Sequence, residues 1–117
     1  MSMQPSPELV QKKLRECFPD PQVAAEAEAV LEKYGRQSWH REPERVRLAM
    51  LMQCDGELGR LRELAALADR DYRDVLAGAE YPEEFRALPT TTSPQEMAAI
   101  RRRDRERYEK WLDSDGR

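Results

Sequence analysis

Apolar residues along this chain recur at helical intervals, and proline, glycine and small polar residues punctuate them. Val10, Leu14, Cys17 and Phe18 fall at i, i+4, i+7 and i+8, which is one face of a helix. Ser6 precedes them as an N-cap with Pro7 in the first helical position, and Pro19 and Pro21 end the run, so the pattern predicts a helix over 6–18. Asp20 caps a second helix, 21–34, whose Val23, Ala27, Val30, Leu31 and Tyr34 form a stripe, and Gly35 stands where a left-handed C-terminal cap belongs. A third helix, 43–54, opens at Pro43 and closes at the turn Asp55-Gly56. Its Leu48-Ala49-Met50-Leu51-Met52 run is apolar on nearly all sides, which assigns it to the middle of the fold.

The fourth helix, 57–79, carries Leu58, Leu61, Leu64, Ala65, Ala68, Tyr72, Val75, Leu76 and Ala79 on one stripe. The stripe stays in phase through Asp69-Arg70-Asp71, which favours one continuous helix; a break there, with Asp71 as a new cap, is the alternative. Tyr81-Pro82 stops it, Pro82 to Leu88 allows one further helical turn, and Pro89-Thr-Thr-Thr reads as a linker. Ser93-Pro94-Gln95-Glu96 is a capping box that opens the last helix, 94–112, with a fraying tail from Asp113 to Arg117. No segment reads as a strand. The expected fold is all-α: a single domain over 1–117, a compact bundle of about five helices with short, mostly antiparallel connections. The threonine-rich linker leaves the last helix room to pack more loosely or on a partner.

Composition narrows the function classes. Of 117 residues, 37% are charged and 39% apolar, yet the net charge is only −3, so no chain-wide field draws nucleic acid or an anionic membrane. No run approaches the about 20 apolar residues of a membrane span, and the first residues show neither the basic start nor the apolar run of a secretion signal. The expectation is a cytoplasmic protein with no membrane partner. Cys17 and Cys54 then read as two isolated core thiols in a reducing compartment.

Candidate chemistry is sparse. The only histidine, His40, sits beside Trp39 in the polar connector 36–42, and the two form a candidate pocket rim, Trp39 shielded and His40 at the edge. Metal ligation lacks its spacings: the thiols are unpaired, no His-Glu-x-x-His exists, and Asp69, Asp71 and Asp74 diverge around a helix and interleave with Arg70 and Arg73. No glycine-rich phosphate loop is present. No catalytic residue, cofactor or metal is therefore assigned. Arg101, Arg102, Arg103, Arg105 and Arg107 face two acids within seven residues, a local net charge of +3, and make a candidate anion contact. Local pairs Arg102–Glu106, Arg105–Glu109 and Glu106–Lys110 at i, i+4 turn that face into a mixed-charge lattice. The inner face, Met97, Ile100, Tyr108, Trp111 and Leu112, is the candidate protein interface; Asp104 in its middle needs a partner, with Arg101 and Arg107 the local choices. A helix-turn-helix over 64–79 would present only Arg73 as a base on its second helix, a poor match to DNA.

Arg41-Glu42-Pro43-Glu44-Arg45-Val46-Arg47-Leu48-Ala49, followed by Asp71-Tyr72-Arg73-Asp74-Val75-Leu76-Ala77-Gly78-Ala79-Glu80-Tyr81-Pro82, resembles a pattern that recurs in small bacterial helical proteins of unassigned function, over residues 23–82. The resemblance implies a bacterial origin and no catalytic residues. The expected role is protein–protein contact, including self-association as a homodimer. The alternative is a nucleic-acid-associated or regulatory protein using the arginine-rich last helix. A third class is an enzyme built on Trp39 and His40 with Tyr72 or Tyr81.

Overall fold

The computed structural model describes residues 4–87 and 91–114; the first three residues, the start of the predicted linker and the end of the tail lie outside them. Six helices follow one another: α1 (Pro7–Cys17), α2 (Pro21–Lys33), α3 (Pro43–Gln53), α4 (Leu58–Glu80), α5 (Pro82–Arg86) and α6 (Pro94–Asp113). No strand occurs among the described residues. The local caps form as their sequence demands. Ser6 accepts from the Leu9 amide, Asp20 from Gln22 and Ser93 from Glu96, each followed by proline in the first turn.

α1 and α4 each pack against both α2 and α3, so the four helices enclose one core. Val46, Leu48, Ala49, Met50 and Leu51 of α3 are fully buried in it, as the uninterrupted apolar run predicts. Leu9 and Lys13 of α1 are also buried, although neither lies on the predicted stripe. α5 is the further turn suggested at Pro82, and it packs between α4 and α6.

One favoured expectation fails. α4 is not a continuous helix: Asp71 has φ −156° and ψ 95°, extended backbone within the helical run. Its Oδ1 accepts the Arg73 amide at 3.1 Å, so Asp71 caps the second segment as the alternative reading has it. The apolar stripe stays in phase across the break because both segments still cover the same core, and periodicity alone does not reveal the discontinuity. The segment after the break has Val75, Leu76, Ala77 and Ala79 buried and Arg73 and Asp74 exposed.

Candidate functional site

The connector between α2 and α3 is built around His40. Gly35, at φ +113°, turns the chain out of α2; a Cβ there would stand 3.0 Å from both Arg47 Nη2 and Pro43 Cβ. The amides of Gly35 and Gln37 then donate to His40 Nδ1 at 2.8 and 3.2 Å. Because Nδ1 accepts, the hydrogen-bond network assigns the ring proton to Nε2, which lies 3.0 Å from Asp69 Oδ1 on α4. The imidazole stacks on Tyr34 (centroids 4.2 Å apart, planes at 27°), and the Trp39 ring meets it edge-on at 4.2 Å and 67°. Tyr34 Oη closes the loop, donating to the Arg41 carbonyl at 2.8 Å and accepting the Arg41 amide at 3.1 Å. Burial pushes the Tyr34 hydroxyl pKa up.

The two aromatic residues therefore exchange their expected places. The His40 side chain is 1% exposed, while Trp39 is 53% exposed. The loop interior presents two amides and faces a carboxylate, and only imidazole can both accept and donate there; indole has a single donor and no acceptor.

Two hollows flank Asp69. One, of about 300 Å³, lies over the break in α4 and is lined by Trp39, Ala68, Asp69, Arg70, Asp71, Tyr72 and Arg73. The Arg73 guanidinium binds both Asp71 oxygens, at 3.0 and 3.2 Å, and holds that carboxyl below its usual range. The other hollow, of about 360 Å³, is a groove between α2 and α4 with Val30, Tyr34, Ala65 and Ala66 as its apolar wall and Lys33, Arg62 and Asp69 as its polar groups. Trp39 and Tyr72 thus meet around one hollow, whereas Tyr81 lies at the α4–α5 junction and lines neither. His40 lines neither hollow, and both of its ring nitrogens are engaged. As placed, the ring is a strut between the connector and α4.

α6 is tied at several points. Leu112 is buried in the core, Tyr108 and Trp111 pack against it, and Met97 and Ile100 are half-buried. Asp104, 2% exposed, accepts the amides of Glu83 and Glu84 at the start of α5, at 3.2 and 3.0 Å. Its partners are not the neighbouring arginines, because those reach across to other elements. Arg101 binds Glu84 at 2.9 Å, Arg103 binds Glu83 at 2.9 Å, and Arg107 donates to the Ala79 carbonyl at 2.7 Å. Arg101 and Arg103 thus tie α6 to α5, and Arg107 ties it to the end of α4. Arg102 and Arg105 are exposed, and neither forms an ion pair with another described residue.

At the far end of α6, Lys13 from α1 donates to the Trp111 carbonyl, to Ser114 O at 3.0 Å and to Ser114 Oγ at 3.2 Å. Its ammonium also lies 4.8 Å from the Trp111 ring centroid and 3.0 Å from Glu16. Sequence reasoning missed Lys13. A buried lysine has no local signature beyond its place beside an apolar stripe.

No group of three His, Cys, Asp or Glu among the described residues is arranged to hold a metal ion, and none of the described helices is long and apolar enough to cross a membrane. Comparison with protein families, with curated proteins and with solved structures finds no match to this chain.

Proposed function

We propose that this chain acts by binding another protein, through the surface that Trp39 forms over the break in α4. The observation that carries this reading is the exposure of Trp39, 53%, on a connector whose polar groups beneath it are hydrogen-bonded. A large aromatic held on a rigid base loses little freedom on binding, which is why such residues dominate interface energetics. The surroundings give the partner a chemistry. Arg36 and Arg41 of the connector and Arg70 of the hollow are exposed and carry no ion pair with a described residue, so an apolar pocket with an acidic rim fits this surface. The apolar face of α6 is a weaker candidate, because Tyr108, Trp111 and Leu112 already serve the chain's own core.

The test compares wild type with Trp39→Ala. Light scattering reads self-association, and cross-linked capture from the native host, quantified by mass spectrometry, reads heterologous partners. Loss of the indole should weaken a genuine complex by about 2 kcal/mol, or roughly 30-fold. The same captured proteins in the same amounts with both proteins, and a monomeric wild type, would sink the proposal. Salt-sensitive binding of single-stranded RNA that survives Trp39→Ala but not Arg102→Gln with Arg105→Gln would move the reading to the nucleic-acid class.

A further inference from the structure

Cys17 and Cys54 read as isolated thiols in the sequence, but the fold brings them together. Cys17 is the last residue of α1 and Cys54 the C-cap of α3. Their sulfurs lie 3.7 and 3.3 Å from the same acceptor, the Leu51 carbonyl oxygen, so the two thiols converge on one point. The backbones also meet: a Cβ on Gly56 would stand 3.2 Å from the Cys17 carbonyl oxygen. Gly56 has φ +70°, and the Glu57 amide closes the turn by donating to the Cys54 carbonyl at 3.0 Å. Cys17 is partly exposed and Cys54 fully buried.

We propose that Cys17 and Cys54 are a redox pair, in which a hydroperoxide oxidises the partly exposed Cys17 and the buried Cys54 then closes an intramolecular disulfide. The neighbouring Cys17 thiol lowers the Cys54 thiol pKa, against the opposing effects of burial and Asp55. The neighbouring Cys54 thiol and burial push the Cys17 thiol up; Glu16 adds to this and Lys13 opposes it. Cys17 is the member a hydroperoxide can reach. It gives up its proton to solvent as its sulfur attacks the terminal peroxide oxygen. The O–O bond breaks, and the departing alkoxide, or hydroxide, takes a proton from solvent, leaving Cys17 as the sulfenic acid. Cys54 sulfur then attacks Cys17 sulfur, the S–O bond breaks, and the leaving hydroxide carries off the Cys54 proton as water. Two thiols and one hydroperoxide give one disulfide, one alcohol (or water) and one water, a two-electron oxidation that a small thiol reductant reverses by exchange.

The experiment uses the full chain, reduced and then exposed to hydrogen peroxide or cumene hydroperoxide. Intact mass should fall by two hydrogens per chain. Non-reducing peptide mapping should find the Cys17–Cys54 cross-link, and a thiol reductant should restore both thiols. In Cys54→Ser, dimedone should label the sulfenic acid on Cys17; in Cys17→Ser, Cys54 should stay unlabelled in the folded chain. The wild-type mapping stands by itself if either variant fails to fold. Cross-links only between chains, over-oxidised Cys17 beside a free Cys54, or two thiols that persist while a control peptide thiol oxidises would each overturn the proposal.

Discussion

At the scale of single residues, two buried polar groups in α6's surroundings have opposite accounts. Lys13, 1% exposed, has its ammonium surrounded by acceptors from Trp111, Ser114 and Glu16. Lys13→Met keeps the aliphatic stem and removes the charged donor, so the Trp111 carbonyl keeps only the Ser114 amide and hydroxyl and Ser114 O only Lys12. We expect a loss of about 1.5–3 kcal/mol in urea unfolding, the range for hydrogen bonds to a charged group. Tyr108 Oη is buried with no hydrogen-bond partner among the described residues, and burial, with Glu80 adding and Arg45 opposing, pushes its pKa up. Tyr108→Phe removes a polar atom that gains nothing from the fold. Stability should be unchanged or up to about 1 kcal/mol higher; a loss as large as that of Lys13→Met would mean the hydroxyl has a partner in solution.

At the scale of elements, helix ends divide into those closed from within their own sequence and those closed from elsewhere. Ser6, Asp20 and Ser93 cap locally, and each is legible because cap and helix are adjacent. Arg47 of α3 instead donates to Leu31 O and Tyr34 O at the end of α2, Lys13 of α1 closes α6, Arg107 of α6 binds Ala79 O in α4, and Asp104 of α6 holds the start of α5. Each places a charge where the helix dipole favours it. None could be read from the sequence, since the capping residue lies on another helix and looks like ordinary surface charge. Asp104→Ala tests this directly. α5 is only five residues long and has no side-chain cap of its own, so the 83–87 amides should lose hydrogen-exchange protection while those of α3 keep theirs. Unchanged protection over 83–87 would show that Asp104 does not hold α5. The same contact should also sense acid. Arg103 holds the Glu83 carboxyl below its usual range, so the contribution of that pair is present at neutral pH and is lost as pH falls through the depressed value. The pair is exposed, so added salt should weaken it even at neutral pH, read as faster exchange over the same amides.

At the scale of the whole molecule, one core runs from Leu9 in α1 to Leu112 in α6, with α3 in its middle. The position of α3 was legible because its 48–52 run, apolar on nearly all sides, has no wet face to offer. The position of α6 was not, because the stripe from Met97 to Leu112 would suit its own bundle and a partner equally well. The candidate surface was half legible: the connector with Trp39 and His40 stood out, but which ring turns outward depended on amides and a carboxylate that only the fold assembles. The ties at Lys13 and Asp104 make α6 part of the cooperative unit, and the two tryptophans allow a test. In a Trp39→Phe background, Trp111 fluorescence follows α6 while far-ultraviolet circular dichroism follows the helices together. Adding Met50→Ala empties a fully buried site in α3, at a cost of about 2–5 kcal/mol. Both signals should then move to the same lower urea midpoint in a single transition. If the dichroism midpoint falls while the Trp111 midpoint stays where it was, α6 unfolds on its own, and the cross-helix caps do not bind it to the bundle.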